Sequence, residues 1–119
     1  MEVTSFNVNI TSEYPERLQA FYRDMLGLPA LKDMGQGALV AAGAPFLIDG
    51  DSDTTGDSKE PQRLLLNFFV GDRAAEQVRL EAEGVKCIRP ADTEYWGGVI
   101  STFVDPDGNY AQLIEFKPE

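Results

Sequence analysis

The sequence predicts an α+β fold in which one supersecondary unit is written twice, each copy a strand, a helix and three further strands. Three observations carry that prediction. The order of elements recurs, and Gly27 and Gly84 close the two helices. A polar, acidic stretch, Gly50 to Pro61 (GDSDTTGDSKEP), separates the copies and holds almost nothing that could fill a core. The chain then finishes on a strong hairpin signal, Asp105-Pro106-Asp107-Gly108-Asn109 between two alternating apolar runs. One domain is therefore expected over residues 1–119, with module 1 in 1–50, the acidic loop in 50–61 and module 2 in 62–117.

In the first copy, Val3 to Ile10 alternates as a strand, with Phe6, Val8 and Ile10 on one face and Asn7 and Asn9 on the other. Asparagine fits strands poorly, so two on one face point to hydration or a polar ligand. Pro15 suits the first turn of a helix, and Leu18, Phe21, Tyr22, Met25 and Leu26 follow at helical spacing up to Gly27. Three short strands are then predicted, Ala30–Met34, Gly37–Ala42 and Pro45–Asp49, punctuated by glycine and proline. Gly50–Pro61 reads as a mobile loop or linker. Asp49, Asp51 and Asp53 alternate like a calcium loop, but Thr55 takes the next place and no glutamate falls at the twelfth, so the reading fails.

The second copy opens with a strand over Gln62–Val70, with Leu65, Asn67 and Phe69 on one face. A helix over Ala74–Glu83 is expected to bury Ala75, Val78, Leu80 and Ala82. Val85–Arg89 reads as a strand with Cys87 buried in it, and Pro90–Gly97 as a loop. In the final hairpin Val99, Ser101 and Phe103 oppose Ile100, Thr102 and Val104, while Tyr110, Gln112 and Ile114 oppose Ala111, Leu113 and Glu115. A face carrying both Tyr110 and Gln112 is mixed in polarity, as a ligand-lined surface would be.

Composition narrows the function classes. The formal net charge is −10, which repels phosphate backbones and excludes nucleic acid as a natural partner. No apolar run reaches the length of a membrane span, so no membrane role is expected. A single cysteine fits a cytoplasmic protein without disulfides. The chain has no histidine, which removes the commonest base near neutral pH and the commonest transition-metal ligand. Neither a Ser-His-Asp nor a Cys-His site can be built from it.

Three stretches carry a resemblance: Leu18-Gln19-Ala20-Phe21-Tyr22-Arg23-Asp24-Met25-Leu26-Gly27-Leu28, Phe68-Phe69-Val70-Gly71-Asp72, and Phe103-Val104-Asp105-Pro106-Asp107-Gly108-Asn109. With the internal repeat, they resemble the vicinal oxygen chelate superfamily, the glyoxalase/bleomycin resistance/extradiol dioxygenase group. The resemblance implies two βαβββ modules forming an open, curled mixed sheet around a cleft. It implies a homodimer with that cleft at or near the subunit interface. Metal-dependent members carry ligands at four strand positions; here those positions hold Asn7, Leu65, Gln112 and Leu47, or Asp49 if the register shifts. Amides are weak ligands and leucine is none, so no metal and no cofactor are expected.

The pattern is then closest to the metal-free bleomycin-resistance-like binders, which implies sequestration of an aromatic or cationic compound such as an antibiotic. The expected ligand-binding residues are Asn7, Asn9, Asn67, Phe69, Tyr95, Trp96, Phe103, Tyr110 and Gln112, with no catalytic residue among them. Tyr95 and Trp96 sit on a glycine-bounded loop suited to stacking, and Trp96 could equally cap the end of the barrel. Two alternatives remain: a metal-dependent lyase, isomerase or dioxygenase of the same superfamily, and a degenerate structural homologue with no ligand.

Overall fold

A computed structural model describes residues 1–31 and 37–116. The chain divides into two units, Met1–Gly56 and Asp57–Glu119. Each pairs its strands in the same way, as the repeat predicts.

In the first unit, β1 (Val8–Ser12) lies parallel to β3 (Ala44–Gly50), and β2 (Ala38–Ala41) lies antiparallel to β3 on its other side. β1 is shorter at its start than the alternation predicts, and Val3 and Phe6 are exposed. The ladder opens at Val8↔Phe46, and the β3 residue before it is Pro45, which has no N–H to give a neighbour. Of the predicted strand Ala30–Met34, Ala30 bridges Leu39 and Leu31 donates its N–H to the Ala38 carbonyl at 2.8 Å. Lys32 to Met34 lies outside the described residues.

Helix α1 (Pro15–Ala20) passes into a π-turn over Phe21–Met25 rather than running on as an α-helix. The Leu26 N–H reaches back five residues to the Phe21 carbonyl at 3.0 Å. This wider turn accommodates two successive rings inside the protein: Phe21 and Tyr22 are both buried, and Tyr22 meets Phe21 and Phe46 edge-on at 5.0 Å each. Gln19 Nε2 donates to the Ile48 carbonyl at 2.8 Å, tying the helix to β3.

The acidic stretch holds fixed contacts rather than reading as a bare linker. Asp51 Oδ1 accepts from the Asp53 N–H at 2.8 Å, the Thr11 and Thr54 hydroxyls lie 2.8 Å apart, and the Gly56 N–H donates to Glu13 at 2.9 Å. Further along, the Ser58 N–H donates to the Asp107 carbonyl at 2.8 Å.

The second unit has strand order β4-β7-β6-β5, built from Leu65–Phe69, Tyr110–Phe116, Gly98–Val104 and Cys87–Thr93. β4 is shorter than predicted, because Pro61 starts a 3-10 turn over Pro61–Arg63. β5 is longer: it runs through Pro90 to Thr93, with register shifts on both sides of Arg89. An edge strand tolerates proline and a bulge, so the loop predicted from Pro90 shrinks to Glu94–Gly97. Cys87 is half-buried within β5 rather than fully enclosed, and burial pushes its thiol pKa up, away from nucleophile chemistry.

Helix α2 (Arg73–Ala82) corrects the predicted burial pattern most sharply. Asp72 caps it by accepting from the Ala75 N–H at 3.0 Å. Of the four residues expected inside, only Leu80 is buried, and Val78 is exposed. The face turned to the sheet is Arg73, Gln77 and Leu80, at helical spacing. It is stabilised by a polar network under the helix: Arg73 Nη1 donates to Gln77 Oε1 at 2.6 Å and to Ser101 Oγ, and the Ser101 hydroxyl sits 2.6 Å from the Pro90 carbonyl. Apolar periodicity does not detect a helix face whose inner contacts are hydrogen bonds. Among the described residues no helix is long and apolar enough to cross a membrane.

Candidate functional site

The two faces of the second sheet divide the work. Ser101 bonds to α2, so the β6 positions that share its parity, Phe103 among them, lie on the helix side. The other face is set by register: Leu65 beside Tyr110, Asn67 beside Gln112, Phe69 beside Ile114, and then Thr102 beside Gln112 and Gly98 beside Phe116. Arg89 on β5 pairs with Thr102 and joins the same row.

Along this face the chemistry is graded. At one end is an open pocket of about 270 Å³ lined by Gln62, Leu65, Ile88, Arg89, Thr102, Tyr110 and Gln112. Amides hold the middle, where Gln112, 7% exposed, donates through Nε2 to Thr102 Oγ1 at 2.9 Å. At the far end Phe69 is 64% exposed, and Trp96 stacks on Phe116 with ring centres 6.3 Å apart and planes 11° from parallel.

The loop that carries Trp96 is a tight one. The Glu94 N–H donates to the Gly98 carbonyl at 2.8 Å, the Gly97 N–H to the Glu94 carbonyl at 3.0 Å, and Gly97 takes φ of 94°. The indole lies directly over Gly98, where a Cβ would come within 2.1 Å of ring carbons. Trp96 thus covers the end of this sheet while staying 40% exposed, whereas the neighbouring Tyr95 is fully exposed. Gly98→Ala is expected to expel the indole, cost about 1–3 kcal/mol and shift Trp96 emission to longer wavelength. Fluorescence spectra with urea unfolding curves check it.

Arg89 is held from one side. Its Nη2 donates to Asp92 Oδ2 at 2.8 Å and to Glu94 Oε1 at 2.7 Å. The hydrogen bond to Arg89 holds the Asp92 carboxyl below the usual aspartate range. Because its folded pKa is depressed, the stabilisation is present above the unfolded value, about 3.9, and is lost as pH falls through the lower folded value. A carbon-detected NMR titration of Asp92 should give a midpoint below that of a free aspartate, and Arg89→Met should return it upward.

Of the nine expected binding residues, four share this face: Asn67, Phe69, Tyr110 and Gln112, with Trp96 placed at its end through Phe116. Phe103, 1% exposed, lies on the opposite, helix-covered face and is apart from them. Tyr95 projects from the loop tip. Asn7 and Asn9 belong to the first unit, both exposed; Asn7 precedes β1, and Asn9 stands beside Leu47. Residues the sequence reading missed are Gln62, Ile88, Arg89, Thr102 and Phe116. The acids three and five places after Arg89 were the available signal for it, masked by the expectation that the strand ends there.

A family model described as Glyoxalase/Bleomycin resistance protein/Dioxygenase superfamily matches residues 7–113. The chain belongs to that superfamily. A solved structure of a protein of unknown function from Agrobacterium tumefaciens is 26% identical, with 98% of each chain covered and a TM-score of 0.75. A putative glyoxalase family protein from Bacillus anthracis is 17% identical, covers 98% of each chain and has a TM-score of 0.71. A lactoylglutathione lyase from Agrobacterium tumefaciens is 18% identical over 97% of this chain and 96% of its own, TM-score 0.69. The last two likenesses are of fold. No curated protein matches the chain in sequence.

The residues at the superfamily's metal positions do not fit a divalent ion. Leu65 and Leu47 offer no donor atom, and Asn7 and Gln112 offer only neutral amide oxygens, which are weak ligands. Among the described residues no group of three or more Cys, Asp or Glu stands close enough to hold one.

Proposed function

We propose that this protein is a metal-independent small-molecule binder of the glyoxalase/bleomycin resistance type, sequestering an aromatic compound, or a cationic one, such as an antibiotic. One observation carries the reading: a sheet face with buried, oriented amide chemistry at Gln112 runs directly into exposed Phe69, Phe116 and Trp96. Large apolar side chains left in water beside ordered polar groups are the usual composition of a ligand surface. Self-protection or drug resistance is the biological sense that follows. The same reading places it in the cytoplasm as a homodimer with the cleft at or near the subunit interface.

The test is a titration of Trp96 fluorescence with a panel of planar and cationic compounds, run beside melting curves. Saturable quenching with a rise in melting temperature is expected, since a ligand that binds the folded state stabilises it by mass action. EDTA is expected to leave both unchanged. If no compound quenches or stabilises, the binder reading fails; if EDTA abolishes binding, its metal independence fails.

A further inference from the structure

The geometry points to a neutral head group that both donates and accepts hydrogen bonds, a carboxamide, lactam or urea, as what the pocket at Gln112, Arg89 and Tyr110 recognises. This deepens the aromatic-compound form of the reading above and rests on it.

Charge argues first. Among the described residues Arg89 is the one cation lining the pocket, and its Nη2 already donates to both Asp92 and Glu94. One positive charge stands against two negative ones, so an anionic head gains no net attraction and meets a protein of net charge −10. A cationic head is drawn by that balance but finds no carboxylate on the lining to pair with, and it meets the Arg89 guanidinium at the pocket wall. A cation would lose hydration with no carboxylate on the lining to replace it, and an anion would meet only donors whose charge Asp92 and Glu94 already balance.

Hydrogen-bond capacity argues next. Gln112 spends one Nε2–H on Thr102, which leaves its oxygen to accept and its second N–H to donate. Arg89 has no other protein partner among the described residues, which leaves Nε and Nη1 to donate. The Thr102 hydroxyl accepts from Gln112 and so keeps its hydrogen for a ligand. Tyr110 supplies a phenol that can do either. The wall therefore presents acceptor and donors without net positive charge, and an adjacent C=O and N–H complements it. Leu65 and Ile88 supply the apolar remainder of the lining.

Three probes of one shape separate the possibilities: benzamide, benzamidinium and benzoate, titrated at neutral pH into isotope-labelled protein. Benzamide is expected to shift the Gln112 side-chain amide and Arg89 Nε–H signals saturably, and to bind about fivefold or more tighter than either ion, as one well-made hydrogen bond allows. Gln112→Glu turns that oxygen into a charged acceptor, and the preference should pass to benzamidinium. Should that variant fail to fold, Arg89→Lys keeps the charge, loses the planar fork and should weaken benzamide. If either ion matches benzamide while Gln112 signals move, the head-group inference is overturned and the binder reading survives. If none of the three moves Leu65, Thr102, Tyr110 or Gln112 signals in a folded protein, both are overturned.

Discussion

Phe103→Ala is expected to lower unfolding stability by about 3–5 kcal/mol, the usual cost of emptying a buried phenylalanine site. Phe103 is 1% exposed and sits in β6 between Ala111 on β7 and Cys87 on β5. Both neighbours are small, so neither can swing in to fill the space. The parity of Ser101 puts Phe103 beneath α2, where Leu80 is buried as well. Phe103→Leu, which keeps most of the volume, should cost less than about 1.5 kcal/mol. Urea unfolding checks both: the midpoint should fall while the slope stays constant. Because the residue lies on the face away from Gln112, the alanine variant should keep the affinity of wild type for any probe that shifts Gln112. A loss of that affinity in still-folded protein would return Phe103 to the binding surface.

Asp105→Ala should be nearly as costly, about 2–4 kcal/mol, through hydrogen bonds rather than volume. The Asp105 carboxylate is buried and organises the terminal turn. Its Oδ1 accepts from the Asp107 and Asn109 N–H groups at 2.9 Å each, and Asn109 Nδ2 donates to Oδ2 at 3.0 Å. Alanine removes the acceptor that these three donors share, one of them on the buried Asp107. Asp105→Asn separates the contributions: it keeps an acceptor for the two backbone groups but sets one amide nitrogen against another at Asn109. It should therefore retain about half the lost stability. Hydrogen exchange at Asp107 and Asn109 gives a local reading, expected to quicken strongly in the alanine variant and modestly in the asparagine one.

The terminal turn was legible in the sequence because its chemistry is local. Asp105 to Asn109 specify their own conformation, and Gly108 takes the φ of 81° that glycine permits. The doubled order of elements was legible for a related reason, since strand and helix periods survive in short windows. What escaped depends on groups distant in sequence. The inner face of α2 is polar, and its place is known only once Ser101 and the Pro90 carbonyl come beneath it. β5 runs through Pro90 because it is an edge strand, a fact about neighbours that no window around Pro90 contains. At the candidate site, alternation set Asn67 with Phe69 and Tyr110 with Gln112, each pair on one face, and the family resemblance supplied the cleft. Arg89 was hidden by the same misplaced strand end, and Phe103 lies on the helix-covered side of the pleat.

The shared strand order of the two units makes their side chains comparable place by place. In the second unit Asn67 stands beside Gln112; at the matching place in the first, Asn9 stands beside Leu47. The backbone plan is written twice, but the chemistry carried on it is not. A guest that needs two amides side by side finds them at this register in the second unit and meets an amide against an aliphatic side chain in the first.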